Sequence, residues 1–322
     1  MPGEEFALIQ KYFHNLTAAR ADVVRGIGDD AAVLAVPAGH ELVVSTDILI
    51  CDVHFPAATQ PADVGFKSMA VNLSDMAAMG AEPRWATLAL TLPAADPGFL
   101  GPFCAGFAES AQAFDVALVG GDLTRGPLSI TVQIMGTVPA GSALTRSGAR
   151  PGDQIWVTGE LGSAALGLSV LQGRQRAMEP GLTDCVRRLN RPQPRVQAGL
   201  LLRGVASAAI DISDGLLTDL QHLLRASGVG ARIELSTIPM GVALSALPGE
   251  AERWQFALGG GDDYELCYTV APAQAATLAQ YLKTSRCTAS YIGNVTGGSG
   301  IAWIAAGGGA VDFGARTGYQ HF

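Results

Sequence analysis

Lysine is almost missing from this chain of 322 residues: Lys11, Lys67 and Lys283 are its only three. No basic block occurs, and the formal net charge is −8. That balance argues against nucleic acid or an anionic membrane surface as a partner. The longest uncharged stretch, around Tyr291 to Val311, is broken by glycines and cannot be a membrane-spanning helix. The opening MPGEEFALIQKYF carries acids early and lacks an apolar signal core. The cysteines Cys51, Cys104, Cys185, Cys267 and Cys287 are odd in number, scattered and never spaced as CxxC, which argues against a disulfide framework. Cys51 and His54 have a CxxH spacing but no second ligand pair, too little for a zinc site. A cytoplasmic protein is expected. GxxxxGK(S/T) is absent as well, so any phosphate site is built without a P-loop.

What the chain does have is a 48% hydrophobic composition, enough for a sizeable core, and 40 glycines, which imply many tight turns or close backbone approaches. The length suggests two domains. Pro61 to Met79 reads as a helix, with proline in its first turn and Gly80 as its stop. Phe66, Met69, Ala70, Leu73 and Ala77 form one apolar stripe; Asp75 falls opposite, where a solvated acid is the plain expectation. Strand-like runs surround this helix (HELVVSTDILI, WATLALTLP, LSITVQIMGTVP), with a second helix over Gly98 to Phe114. Helices and strands mix without strict alternation, so an α+β domain with a mixed or antiparallel sheet is expected over residues 1–140. PAGSALTRSGARPGD marks the boundary. Beyond it, QIWVTG, AAIDIS, ARIELS and CTASYIGNV read as strands and alternate with helices, among them Gly215 to Ser227, predicting an α/β-type domain over 141–322.

The acids are the chemistry-bearing residues. GIGDDAAVL sets Asp29 beside Asp30, and GGGDDYELC sets Asp262 beside Asp263. Like charges this close repel by about 4 kcal/mol at a separation of about 4 Å in a surface-like dielectric. Asp47 in STD, Asp75 in NLSD, Asp122 in GGDLTRG, and Asp211 and Asp214 in DISDG read as further carboxylates at turns or element ends. Each alone is an ordinary cap or turn residue. Together they suit hard cations, since Mg²⁺ takes oxygen ligands, and Ser45 and Thr46 could add neutral oxygens to Asp47. Glycines such as Gly120 and Gly121 let backbone N–H groups approach an anion, and Arg125 and Arg146 can grip phosphate. A metal-dependent polyphosphate site is the reading. GIGDDA also fits the GxGxxA dinucleotide fingerprint, but AAVLAVP ends at Pro37 and cannot supply the helix that fingerprint needs.

GIGDDAAVL, STDILICDVHF, NLSDMAAMGAEP, GGDLTRGPLSITV, LTRSGARPGD, IDISDGL and GGGDDYELC occur in an order that resembles the thiamine-monophosphate kinase family, from the first helix to the terminal GYQHF. NLSDMAAMGAEP alone indicates only the wider superfamily, with aminoimidazole ribonucleotide synthetase, selenophosphate synthetase and the hydrogenase maturation dehydratase. The resemblance implies a two-domain protomer, an active site in a cleft between the domains, and a homodimer formed through the first domains. It implies transfer of the ATP γ-phosphoryl group to thiamine monophosphate, with several Mg²⁺ ions and ATP as co-substrate. Carried over, Asp30, Ser45, Thr46, Asp47, Asp75, Asp122, Asp211 and Asp214 are expected metal ligands. Asp47, Asp75 and Asp122 would be the catalytic acids among them. Gly121, Asp122, Arg146 and Ser213 are expected nucleotide contacts, and His54, Asp262 and Tyr319 substrate contacts. One departure stands out: the family usually reads GGEDYEL, so Asp262 occupies the place of a glutamate and reaches about one methylene less far. Asp263 is expected to be a structural acid of the turn.

The acceptor would be a phosphate monoester with a second pKa of about 6, mostly dianionic at neutral pH and in no need of a general base. The difficulty is to bring it against polyanionic ATP, so charge neutralisation and in-line positioning are expected rather than proton transfer. The other superfamily reactions, and a nucleotide sensor without turnover, remain open alternatives at the level of sequence. Against the dehydratase, no cysteine follows Cys287; against the selenium enzyme, the first cysteine is Cys51.

Overall fold

Residues Met1–Met76 and Ala81–Gly141 make the first unit of the chain. Its elements are α1 (Glu4–Tyr12), β1 (Val23–Arg25), β2 (Val33–Leu34), β3 (His40–Ile50), α2 (Pro61–Ala78), β4 (Glu82–Leu92), α3 (Pro97–Gln112), β5 (Ala117–Arg125) and β6 (Ser129–Pro139). The computed structural model describes residues 4–175, 181–313 and 318. Four strands form one sheet in the order β3-β6-β4-β5. β3 and β4 each pair antiparallel with β6, and β4 pairs parallel with β5. The parallel pair follows from the α3 crossover, the longer connection such a pair requires. β1 and β2 form a separate antiparallel pair, and Val23 and Leu34 pack against a core cluster of Trp85, Ala117, Val119 and Met135.

α2 is buried on more than one face. Met69, Ala70, Leu73 and Ala77 of the predicted stripe are fully buried, but so are Lys67, Ser68, Asn72 and Ser74. Gly65 and Gly106 let α2 and α3 touch, since a Cβ on Gly65 would lie 2.0 Å from the Phe103 carbonyl and one on Gly106 1.8 Å from that of Ala62.

The second unit comprises Ala77–Gly80 and Ser142–Phe322. It contains β7 (Gln154–Thr158), α4 (Ser163–Leu171), α5 (Leu182–Asn190), α6 (Val196–Leu202), β8 (Ala206–Ile212), α7 (Leu216–Ser227) and β9 (Gly230–Glu234). A 3₁₀ turn at Leu235–Thr237 leads to α8 (Val242–Ser245), α9 (Glu250–Gly259), β10 (Glu265–Val270), α10 (Pro272–Thr284), β11 (Ala289–Thr296), β12 (Ile301–Ile304) and β13 (Ala310–Val311). Helices separate the strands from β7 to β11, in runs of up to three, while β11, β12 and β13 follow one another without a helix. The seven-stranded sheet, β13-β12-β9-β11-β7-β10-β8, is nonetheless antiparallel except between β12 and β9. Leu216, Leu220, Leu223 and Leu224 of α7 enter the core beside Ile155, Val157, Ile210 and Ile212. Gly228 ends that helix in the left-handed conformation, at φ 68°. All five cysteines are free. Among the described residues, no helix is long and apolar enough to cross a membrane.

Candidate functional site

The predicted site residues fall into two groups, one on each unit. In the first unit, alternation along β3 turns Ser45 and Asp47 to the half-buried face, while Leu42, Val44, Thr46, Ile48 and Ile50 are exposed on the other. Asp47 is not at an element end, as the sequence suggested, but in mid-strand opposite Val132. The Ser45 hydroxyl donates to Asp75 Oδ2 at 2.5 Å. Asp75 is therefore half-buried and engaged, a correction to the solvated acid expected from the helix alone; only the neighbouring strand, invisible to helical periodicity, accounts for it. Thr46 lies across the sheet from this pair, and Gln133 Nε2 donates to its hydroxyl at 3.4 Å. A Thr46 contribution beside Asp47 would have to come from its main-chain carbonyl.

Asp122 was also expected at a turn, yet it lies within β5 opposite Ala89. The double glycine before it is a strand feature: a Cβ on Gly121 would sit 1.9 Å from the Leu88 carbonyl, and its φ is +153°. Only glycine lets the strands approach so closely here. Gly121 and Asp122 line a cavity of about 710 Å³ that Asp29 and Asp30 also line. Phe6, Ile9 and Phe13 supply an apolar wall to the same cavity. Asp29 Oδ1 accepts the Asp30 N–H at 3.0 Å, so the two repelling acids differ in role: one braces the turn that presents the other.

His54 lies in the turn after β3, where its Nδ1 accepts the Ile50 N–H at 2.9 Å. A neutral ring in this arrangement carries its proton on Nε2. Lys67, on α2 and only 2% exposed, donates to the His54 carbonyl at 3.3 Å. Sequence reasoning missed Lys67; the scarcity of lysine was the one available signal.

In the second unit Asp211 is the penultimate residue of β8, buried and opposite Leu266 of β10, and Asp214 follows in the turn before α7. Asp219, on the first turn of α7, accepts with one oxygen from the N–H groups of Ser213, Asp214 and Gly215 at 3.1, 3.0 and 3.1 Å. Burial, then the carboxylates of Asp211 and Asp214, push the Asp219 carboxyl up to about 8, against the pull of the Asp214 and Gly215 N–H groups. The DISDG turn is bonded in turn to the GGGDDYEL loop, for Asp262 N–H donates to the Ser213 carbonyl at 2.9 Å and Tyr264 N–H to that of Ile212 at 2.8 Å.

Asp262 itself adopts φ 68°. Aspartate tolerates this left-handed region better than most residues. The Tyr264 hydroxyl donates to Asp262 Oδ1 at 3.1 Å and orients that side chain. Asp263 faces the other way. Both its carboxyl oxygens accept the Gly162 N–H, at 2.8 and 3.0 Å, before α4, and burial drives its pKa well up despite that bond. Arg146 is exposed, and its carbonyl accepts the Ser227 hydroxyl at 3.1 Å. Tyr319 lies outside the described residues.

Among the described residues, no three His, Cys, Asp or Glu side chains gather into a ready-made metal cage. The donors present still suit Mg²⁺. Ser45, Asp47, Asp75 and Asp122 offer only hard oxygens, and Mg²⁺ usually takes one or two carboxylates and completes its shell with water and substrate phosphate.

Comparison with known proteins identifies the family. The N-terminal domain family of AIR synthase related proteins matches residues 28–138, and the corresponding C-terminal domain family matches 150–305. The thiamine-monophosphate kinase of Escherichia coli is 50% identical over 269 residues, 83% of this chain and 82% of the relative. The crystal structure of thiamine-monophosphate kinase from Stenotrophomonas maltophilia superposes with a TM-score of 0.84 at 46% identity, covering 92% of this chain and 96% of that one. AaThiL complexed with AMPPCP and TMP superposes with a TM-score of 0.76 at 29% identity, covering 89% of each chain. On these grounds the chain belongs to the thiamine-monophosphate kinase family within the AIR synthase related proteins.

Proposed function

We propose that the chain transfers the γ-phosphoryl group of ATP to thiamine monophosphate, giving thiamine diphosphate and ADP. The observation that carries this reading is half-identity to curated kinases of that activity over 83% of the chain. A relative that holds AMPPCP and TMP supports it. An oxygen of the acceptor phosphate attacks the γ-phosphorus while the bond to the β,γ-bridging oxygen breaks and its electrons leave with ADP. The acceptor is already anionic, so no side chain need take a proton, and no phosphoenzyme forms.

Mg²⁺ would supply the charge neutralisation that lets two polyanions meet. In this reading Asp30, Ser45, Asp47, Asp75 and Asp122 of the first unit hold it, with Thr46 contributing through its main chain, and Asp211 and Asp214 of the second unit complete the set. Asp47, Asp75 and Asp122 matter most for turnover. Gly121, Asp122, Arg146 and Ser213 serve the nucleotide, and His54, Asp262 and Tyr319 the thiamine phosphate. The first unit would carry ATP, metal and dimerisation, and the second the rest of the nucleotide and substrate contacts. A second copy of the chain is the proposed cover for the apolar face of edge strand β3, where Leu42, Val44, Ile48 and Ile50 are 42–51% exposed. The cytoplasm is the proposed compartment.

The test is incubation of the purified protein with ATP, MgCl₂ and thiamine monophosphate, with products separated by chromatography. Thiamine diphosphate and ADP in equal amounts, abolished by EDTA, are expected. No thiamine diphosphate from protein that still binds ATP would overturn the reading.

A further inference from the structure

Three consecutive N–H groups at the start of α7, from Ser213, Asp214 and Gly215, converge on one point. Such a nest at a helix N-terminus attracts phosphate in many proteins. Here the protein fills it itself, with Oδ2 of Asp219, a residue only 3% exposed. We propose that Asp219 is the positioning residue of the nucleotide- and metal-binding turn, acting as a built-in occupant of its anion nest. The inference rests on the functional reading above.

Two consequences follow from the geometry. The N–H groups of residues 213–215 are already committed, so Ser213 reaches a nucleotide through its hydroxyl and not through its main chain. With those N–H groups drawn towards Asp219, the carbonyls of Ile212 and Ser213 are left to bond Tyr264 and Asp262. The receiving loop depends on that support, because Asp262 and Tyr264 stand at φ 68° and 51°, a conformation that side-chain-bearing residues keep only when their neighbours hold it. Gly318 completes the arrangement: its N–H donates to Thr218 Oγ1 at 2.8 Å, and a Cβ there would lie 2.1 Å from the Asp214 carbonyl. Asp219 thus sets where the turn carrying Asp214, just after the β8 residue Asp211, lies relative to the loop carrying Asp262, without itself touching either substrate.

What this role requires of residue 219 is an acceptor oxygen at that place, not a charge. Asp219→Asn keeps a side-chain carbonyl; Asp219→Ala removes it. Both variants are made in the full chain. Amide hydrogen exchange is read at residues 213–215, 262 and 264, and binding of AMPPCP with MgCl₂ by calorimetry. Asp219→Asn is expected to keep the protection and to bind within about threefold of wild type, whereas Asp219→Ala loses protection at both segments and binds about tenfold or more weakly. KM for both substrates should rise with the lost protection. Should Asp219→Ala fail to fold, the asparagine variant decides alone. If it keeps its protection yet binds ten times more weakly, the charge is what acts and the proposal is overturned. Unchanged protection and affinity in Asp219→Ala overturn it equally. Wild-type protein that binds AMPPCP but makes no thiamine diphosphate would instead sink the functional reading and leave the exchange result standing.

Discussion

Arg195 pairs with Glu265, the glutamate of GGGDDYEL and the first residue of β10, and removal of this pair should cost the second unit more than any surface pair could. Arg195 donates to the two carboxylate oxygens of Glu265 from Nε and Nη2, at 2.6 and 2.5 Å. The side chains are 15% and 3% exposed. Thr158 Oγ1 donates to the same carboxylate at 2.6 Å and accepts the Leu266 N–H at 2.8 Å, tying β7 to β10. Burial works against the Arg195 charge, but the hydrogen bonds and the charge of Glu265 outweigh it and raise its pKa. Replacing either partner alone leaves a buried charge without its counterion, a loss of about 3–5 kcal/mol. Arg195→Met keeps the aliphatic stem, and Glu265→Gln keeps the shape. The double variant removes both charges, so its cost should fall short of the sum of the single costs by about 2 kcal/mol or more. Urea titration followed by tryptophan fluorescence can read this, since Trp156, Trp254 and Trp303 all lie in the second unit. A loss below about 1 kcal/mol in Arg195→Met, the range of exposed pairs, would refute the reasoning, as would strictly additive losses.

Asp22 accepts from Arg20, Arg84 and the Trp85 indole, at 2.9, 2.9 and 3.1 Å. The Arg20 hydrogen bond first, then those of Arg84 and Trp85, hold its carboxyl far below the usual range despite its burial. The folded pKa lies below the unfolded value of about 3.9. The stabilisation is therefore present above about pH 4 and lost as pH falls below it. Asp22→Asn should cost about 2–3 kcal/mol near neutrality, and the gap between the melting curves of variant and wild type should narrow steadily as pH falls below about 4; a gap independent of pH would contradict this. Ser45→Ala should lower turnover at least about tenfold while Thr46→Val stays within about threefold, because only Ser45 faces Asp75; equal losses in a steady-state assay would place Thr46's hydroxyl in the site. Ile48→Glu on the exposed face of β3 should give a monomer by light scattering, and an unchanged dimer mass would rule that face out as the contact between copies.

The large elements were legible because their patterns are local. The β3 run alternates, the α7 leucines repeat at helical spacing, and Gly228 stops that helix where glycine commonly does. The β5 strand was not legible. Its sequence, ALVGGDLTR, holds a double glycine that reads as a turn, and only the close approach to Leu88 explains why glycine is needed inside a strand. Periodicity also misplaced Asp75. A helix wheel assigns a residue to a face but does not say whether that face meets water or another strand, and α2 meets neighbours on several sides. Asp219 carried no signal at all, since an aspartate four residues into a helix is unremarkable until the three N–H groups that surround it are known.

The repeated glycine–aspartate pairs resolve along the same lines. In GIGDDAAVL, Asp29 braces the turn and Asp30 is presented at a cavity of the first unit. In GGGDDYELC the order is reversed: Asp263, the second acid, turns inward to Gly162, and Asp262, the first, is held by Tyr264 in a left-handed conformation. In both places one member of the pair is spent on a backbone N–H. An Asp-Asp pair beside glycine therefore does not require a cation between its own two members. It marks a turn that needs one acid to hold it and has a second to offer, and the ligand is to be sought at whichever acid the backbone leaves pointing out.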